Sequence, residues 1–196
     1  MKQSGDKQDD KKDNEVVFFQ LNALASGLHL SHFLHCVAKG QQDEAENLLN
    51  QPIEKSNYKN LLLAKETFTD YSGRTFVCTA YEYAYWAKDT HMCRMLEKHM
   101  DKDTKSEMLK RCEAVEKGGL KYSQQVKQTD GTQYVEQFCT KHFDFSSLKT
   151  ALERYIQGFD NWSWDERKLA WMAVGMAQRD LPVHVINCVI HRHRFN

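Results

Sequence analysis

Apolar residues recur along this chain at two periods, and the helical one dominates. Phe33, Leu34, Val37 and Ala38 fall at i, i+1, i+4 and i+5 and predict a helix that Gly40 ends. Ala45, Leu48 and Leu49 share one face of a second segment, Asp43 to Leu49, which stops near Asn50 and Pro52. Asp70, Ser72 and Gly73 supply turn chemistry, Gly73 because it accepts a positive φ. Thr79 then caps a helix whose small residues Ala80, Ala84 and Ala87 form a stripe that lets a neighbouring backbone approach closely. Met92, Met95 and Leu96 continue an apolar face on the next helix.

Beyond Met100 a charged amphipathic helix is predicted with Met108, Leu109, Cys112 and Val115 inward, closed at Gly118 and Gly119. The stretch from Leu120 to Gln137 alternates polar and apolar residues around Asp130-Gly131. It reads either as a β-hairpin or as one helix broken by a loop. Phe145, Ser146 and Ser147 open a helix with Leu148, Leu152, Tyr155 and Ile156 inward, ending near Gly158. After the turn FDNWSWDE, a helix from Ser163 carries Asp165 and Glu166 in its first turn, as the helix dipole favours. Leu169, Trp171, Met172 and Val174 make it apolar around much of its surface, which predicts that it is largely buried. Asp180-Leu181-Pro182 opens a last helix with proline in its first turn.

The polar segment 1–15 is expected to be a disordered tail. Residues from Val16 to Gly40 begin with a short strand or a first helical turn. Glu54 to Thr69 reads as an insertion with a helix around Tyr58 to Lys65. The expected architecture is mainly α in two lobes. Residues 16–100 form an ankyrin-like helix-pair stack with the insertion, and 101–196 a helical extension that caps it, with one small β-hairpin as an open alternative. The two helix pairs, starting near Ser31 and Thr79, are spaced more widely than the ankyrin period of about 33 residues, which is why an insertion is needed.

Composition narrows the function classes. Lysine plus arginine equals aspartate plus glutamate at 27 each in 196 residues, so a generally basic nucleic-acid-binding surface is not expected. No apolar run approaches the roughly 20 residues of a membrane-spanning helix. The first residues lack the apolar core of a signal peptide. Six scattered cysteines without a C-x-x-C pair read as reduced thiols in a cytosolic setting.

Two blocks carry a resemblance. Residues 70–96, DYSGRTFVCTAYEYAYWAKDTHMCRML, follow the ankyrin-like order of a D-x-x-G-R-T turn, T-A/P-x-x-x-A and a Leu-ended helix. Leu34-His35, Ala38, Gly40 and Leu48-Leu49 follow a related ankyrin pattern, one residue short between Leu and Gly. The second block, His142 to Val185, holds an H-F-D-F helix, a D-N-W turn and a Q-R-D-x-P-x-H-V helix. Together the blocks resemble an ankyrin-like module of Dot/Icm-type (type IV) secreted effectors, which intracellular bacteria deliver into host cells. That resemblance implies a protein made in the bacterial cytoplasm and acting in the host cytosol on a protein partner. It implies no single activity. Where the family continues with an E-Y-C-R-P-D-R-S-F pattern, this chain reads INCVIHRHRFN.

Several clusters could carry chemistry. His184, Cys188 and His191 fall at i, i+4 and i+7, with His193 beyond, a spacing that lets two ligands share a zinc ion. An amphipathic last helix with Cys188 inward explains the same spacing, and no cofactor or metal is expected. His29, His32, His35 and Cys36 offer a thiol beside imidazoles. A cysteine enzyme would more readily take its base from afar, such as His142 or His184, for Cys36, Cys78 or Cys139. Asp160, Trp162, Trp164 and Asp165 mark an aromatic, acidic corner, with Trp162 read as packing. Phosphate-binding glycine loops, a G-x-S-x-G elbow and H-E-x-x-H are absent. The expected function is non-catalytic docking on a protein partner, with Tyr71, Arg74, Tyr81, Tyr85 and Trp164 as contact residues. The alternative is a cysteine-dependent hydrolase or acyl transferase.

Overall fold

A computed structural model of the chain describes residues 27, 29–51, 61–128 and 131–186. It corrects the mainly-α, ankyrin-like expectation, because the centre of the fold is a four-stranded antiparallel sheet in the order β1-β2-β3-β4. The elements run α1 (29–38), α2 (Gln42–Asn50), β1 (Glu66–Thr69), β2 (Arg74–Cys78), α3 (Ala80–Trp86) and α4 (Thr90–Lys98). Then come α5 (Lys102–Gly118), β3 (Leu120–Lys127), β4 (Gln133–Thr140), α6 (Ser146–Gly158) and α7 (Trp164–Arg179). Residues 61–63 and 183–186 add short helical pieces.

The Asp70–Gly73 turn therefore joins two strands rather than opening a helical repeat. Its flanks alternate at period two. Phe68 is buried in β1, and Phe76 and Cys78 in β2, while Thr67, Thr69 and Val77 face solvent. Phe68 pairs with Phe76, Phe76 with Tyr122, and Tyr122 with Phe138, so one aromatic row crosses all four strands. Ring centroids along it stand 5.9, 5.1 and 5.2 Å apart. Such cross-strand aromatic pairs fix register and supply the surface on which the helices pack. The hairpin alternative holds at β3–β4, whose register runs from Leu120↔Thr140 to Lys127↔Gln133.

Helices α3 to α5 form the connection from β2 to β3 and cover the aromatic row. Thr79 and Glu82 form a reciprocal capping box at α3, and Asp89 and Asp101 cap α4 and α5 by accepting from Met92 N at 3.0 Å and Thr104 N at 2.7 Å. Phe76 is the hub beneath them, 4.9 Å from Trp86 and 5.2 Å from Tyr83 between centroids. One core cluster gathers Phe33, Leu34, Leu48, Phe76, Trp86, Met92, Leu96, Met108, Val115 and Leu120. Leu109, expected inward on α5, is exposed, whereas Met108, Cys112 and Val115 are buried. Of the helix expected at Tyr58 to Lys65, residues 61–63 are helical and 58–60 lie outside the described residues, as do the segment 1–26 and the end of the last helix.

Candidate interaction surface

Helices α6 and α7 pack on each other as an antiparallel pair. Ser163 caps α7 in a second capping box, its backbone N–H and hydroxyl donating to Glu166 Oε2 at 2.8 and 2.7 Å. Those bonds hold the Glu166 carboxyl below its ordinary range. Asp144 receives the Ser146 N–H at 2.8 Å where α6 begins. The turn between the helices closes on Gly158, where a Cβ would lie 2.0 Å from Cε2 of Trp162. Trp162 therefore folds over a position with no room for a side chain, and Arg154 lies 5.9 Å from its ring centroid.

The helix pair is tied to the sheet by the β1–β2 turn. Arg74 Nη1 donates to the Asp180 carbonyl at 2.8 Å, and the Ser72 hydroxyl lies 3.2 and 3.1 Å from the carbonyls of Arg179 and Leu181. Arg74 is held for this task by Asp70, whose Oδ2 accepts Nε at 2.8 Å and faces Nη2 at 2.7 Å. Both side chains are buried, and the guanidinium lies 5.2 Å from the Trp86 ring and 5.0 Å from Phe143. Burial and the Asp70 carboxylate push the Tyr83 phenol beside them well above its ordinary value. At the other root of the pair, His142 Nε2 meets Glu116 Oε1 at 2.7 Å, the Phe143 N–H donates to the Trp86 carbonyl at 2.9 Å, and His184 stands 3.7 Å from Asp89. Burial draws His184 below its usual imidazole value, with Asp89 pulling it back.

Away from these ties much of the pair is exposed among the described residues. In α7, Ala170 and Val174 are buried, so the expectation of a largely buried helix is overturned. Its second apolar stripe, Leu169, Met172, Ala173 and Met176, follows i, i+3, i+4, i+7 and faces solvent. Trp164 is 78% exposed, and Trp171 is exposed beside Tyr155, 5.2 Å away between centroids. On α6, Ile156 was expected inward and is 71% exposed, while Leu148, Leu152 and Tyr155 are half-buried. Scattered exposed apolar side chains are ordinary on a protein surface, but a contiguous apolar face marks an interaction site.

The five residues expected at the contact surface separate into two groups. Tyr71 and Trp164 are exposed. Arg74 faces inward and its guanidinium is engaged within the chain. Tyr81 and Tyr85 are half-buried and donate to carboxylates, Tyr81 to Glu97 at 2.5 Å and Tyr85 to Glu116 at 2.7 Å. Sequence reasoning missed Leu169, Met172 and Met176 as surface residues, because a helix apolar on two sides reads as buried.

The thiols give no paired nucleophile among the described residues. Cys36, Cys78 and Cys112 are buried, and burial pushes each thiol up, Cys112 to about 11; half-buried Cys93 is pushed to about 12 for the same reason. Cys139 is exposed, with its Sγ 2.9 Å from the Gly118 carbonyl. It alternates with Phe138 and Thr140, whose contacts to Tyr122 and Trp86 lie on the covered face of the sheet. His32 and His35 point to solvent while Cys36 points into the core. No group of three or more metal-ligand side chains occurs among the described residues, and Cys188, His191 and His193 lie outside them. No described helix is long and apolar enough to cross a membrane.

Two comparisons with known proteins find a relative, one of them confined to the C-terminal end of the chain. A family model described as the CBUA0006 C-terminal domain matches residues 147–196. The chain is also 36% identical over 163 residues to the uncharacterized protein CBUA0006 of Coxiella burnetii (strain RSA 493 / Nine Mile phase I). The match covers 80% of this chain and 46% of the relative, so the chain spans about half of that protein's length. No solved structure matches the chain.

Proposed function

We propose that this protein is a non-catalytic docking module that engages another protein through the exposed apolar face of the α6–α7 pair. The observation that carries the reading is the solvent-facing stripe Leu169, Met172 and Met176, flanked by Trp164 and Trp171. Each such side chain contributes roughly 1.5–3 kcal/mol when buried against a partner, before the costs of association. Tryptophan and methionine are the residue types that interfaces favour. The pair carries five basic residues (Lys149, Arg154, Arg167, Lys168, Arg179) and five acidic ones (Glu153, Asp160, Asp165, Glu166, Asp180), a balance that favours a protein partner over an anionic lipid surface.

Proximity labelling in host-cell cytosol with wild type and Leu169→Glu/Met172→Glu/Met176→Glu tests the reading. All three side chains are exposed, so the variant keeps its fold. The reading requires a discrete set of neighbours that the variant loses, and identical labelling by both proteins sinks it. Action inside a host cell as a secreted effector is part of the same proposal and rests on the resemblance of the two sequence blocks. An enzymatic translocation reporter fused to the chain tests it, with a host-cytosol signal expected only from a secretion-competent strain.

A further inference from the structure

A trough of about 610 Å³ runs along one side of the α6–α7 pair, lined by Ser147, Thr150 and Ala151 from α6 and by Ala173, Met176 and Ala177 from α7. Thr150 and Arg154 also line a second hollow of about 400 Å³ that reaches Trp162 and Asn161, so the two adjoin at Arg154, which ends the trough on that side of the depression. Met176 belongs both to the trough and to the solvent-facing stripe, which makes that stripe its outer wall. Small side chains on both floors leave room for a backbone to approach closely, as a third helix packed on a helix pair does.

The ends of the trough are charged. Arg154 stands at one end and Arg179 at the other. Tyr155 meets Trp171 and Ser146 lies opposite Asp180, so the arginines are separated by about seven residues of helix, or about 10 Å. Neither guanidinium has a carboxylate partner among the described residues: Arg154 lies against Trp162, and Arg179 is engaged through its backbone carbonyl. Two carboxylates also border the depression. Glu153 lies 3.8 Å from Lys149, and Asp180 stands next to Arg179 and weakens the positive charge of that end.

We propose that this trough receives one amphipathic helix of a partner protein, its small apolar face down and a carboxylate near each end for Arg154 and Arg179. The inference rests on the docking reading above and names the partner's chemistry. An acidic residue at i and another at i+7 spans the two arginines, and charge-assisted, bidentate pairing to arginine fixes the register of the helix in the trough.

The test is a selection from a phage library of randomised 18-residue helices on the full chain, with binding then measured to variants whose folding is verified by circular dichroism. Ala173→Trp and Thr150→Trp fill the trough from exposed positions. Arg154→Glu/Arg179→Glu inverts its ends. Selected helices should carry acidic residues at the stated spacing and lose binding at least tenfold to each trough-filling variant. They should also bind the inverted variant again once their acidic residues are exchanged for lysine, with Arg154 the more sensitive end. Helices without acidic preference overturn this inference, as do helices blocked by Leu169→Glu/Met172→Glu but not by Ala173→Trp; the docking reading survives either result. A selection yielding no helix, or only binders indifferent to both sets of variants, overturns both. Sedimentation showing a dimer that Ala173→Trp dissociates assigns the trough to a second copy, and binding of anionic phosphatidylserine vesicles abolished by Ala173→Trp assigns it to lipid; either overturns the inference.

Discussion

Arg74 donates from Nη1 to the backbone carbonyl of Asp180 at 2.8 Å, joining positions 106 residues apart in the chain. The bond places the C-terminal end of α7 against the tip of the β1–β2 hairpin. A residue that the sequence presents as a surface contact is instead the internal tie between the sheet and the helix pair.

Removing that tie leaves Asp70 as a buried, unpaired carboxylate. Arg74→Met is expected to destabilise the protein by about 3–5 kcal/mol, the usual cost of breaking a buried ion pair from one side. Hydrogen exchange resolves where the loss falls. Amides at the end of α7 and the start of 183–186 should exchange faster than those of α4, and a uniform loss would show that Arg74 serves the core alone.

Individual helices were legible locally, but the fold class was not, because the central sheet was read as a helical stack. Thr79 and the start near Ser163 were expected to open helices, and each proves to be the cap of a box that closes on the glutamate three residues on. The alternation around Asp130-Gly131 left a hairpin and a broken helix both open, and β3–β4 takes the hairpin. β1 and β2 were not legible, because strands of four and five residues beside a glycine turn are too short to display a period against the helical grammar that follows them. Their aromatic row becomes visible only once the partners Tyr122 and Phe138 are known from far along the chain. The candidate surface was half legible. Trp164 was named, but Leu169 and Met176 share with Ala170 and Val174 a helix apolar on two faces, and periodicity alone does not say which face finds a neighbour.

Gly158 tests the turn between α6 and α7. A methyl group there meets the Trp162 ring at contact distances real side chains do not tolerate. Gly158→Ala should displace Trp162, cost about 1–3 kcal/mol as overpacking does and shift tryptophan emission to longer wavelength. Unchanged emission and an unchanged melting temperature would mean that Trp162 is not seated over this glycine.

Glu116 makes the linker to α6 acid-sensitive. The bond from Tyr85, followed by that from His142, holds its carboxyl below the ordinary value of 4.5. A carboxyl lowered on folding contributes stability above its unfolded value and loses it as pH falls through the folded one. Wild type should therefore lose stability more steeply than Glu116→Gln as pH drops below about 4.5, read as melting temperature against pH. The Tyr85 phenol, raised to about 12 chiefly by its bond to Glu116, gives the opposite slope. Its contribution is intact below pH 10 and disappears as pH rises through 12. Parallel acid profiles for wild type and Glu116→Gln contradict the pairing.

Thiol reactivity follows burial. With limiting iodoacetamide at pH 8, Cys139 should be modified faster than Cys36, Cys78, Cys93 or Cys112 by more than about tenfold, since thiolate and access decide the rate. Peptide mass spectrometry reads the order. A fast-reacting Cys78 or Cys36 would mean an opened core or an activated thiol, and would move attention from docking to nucleophilic chemistry.

The most direct test of docking through α7 is site-specific photo-crosslinking in host-cell cytosol. A photoreactive residue placed at Met172 is compared with one at Leu109, an exposed apolar position on α5. The account predicts a discrete adduct at 172 that is absent at 109 and disappears when Leu169→Glu and Met176→Glu are added. The same adducts at both positions, or none at 172, would contradict it.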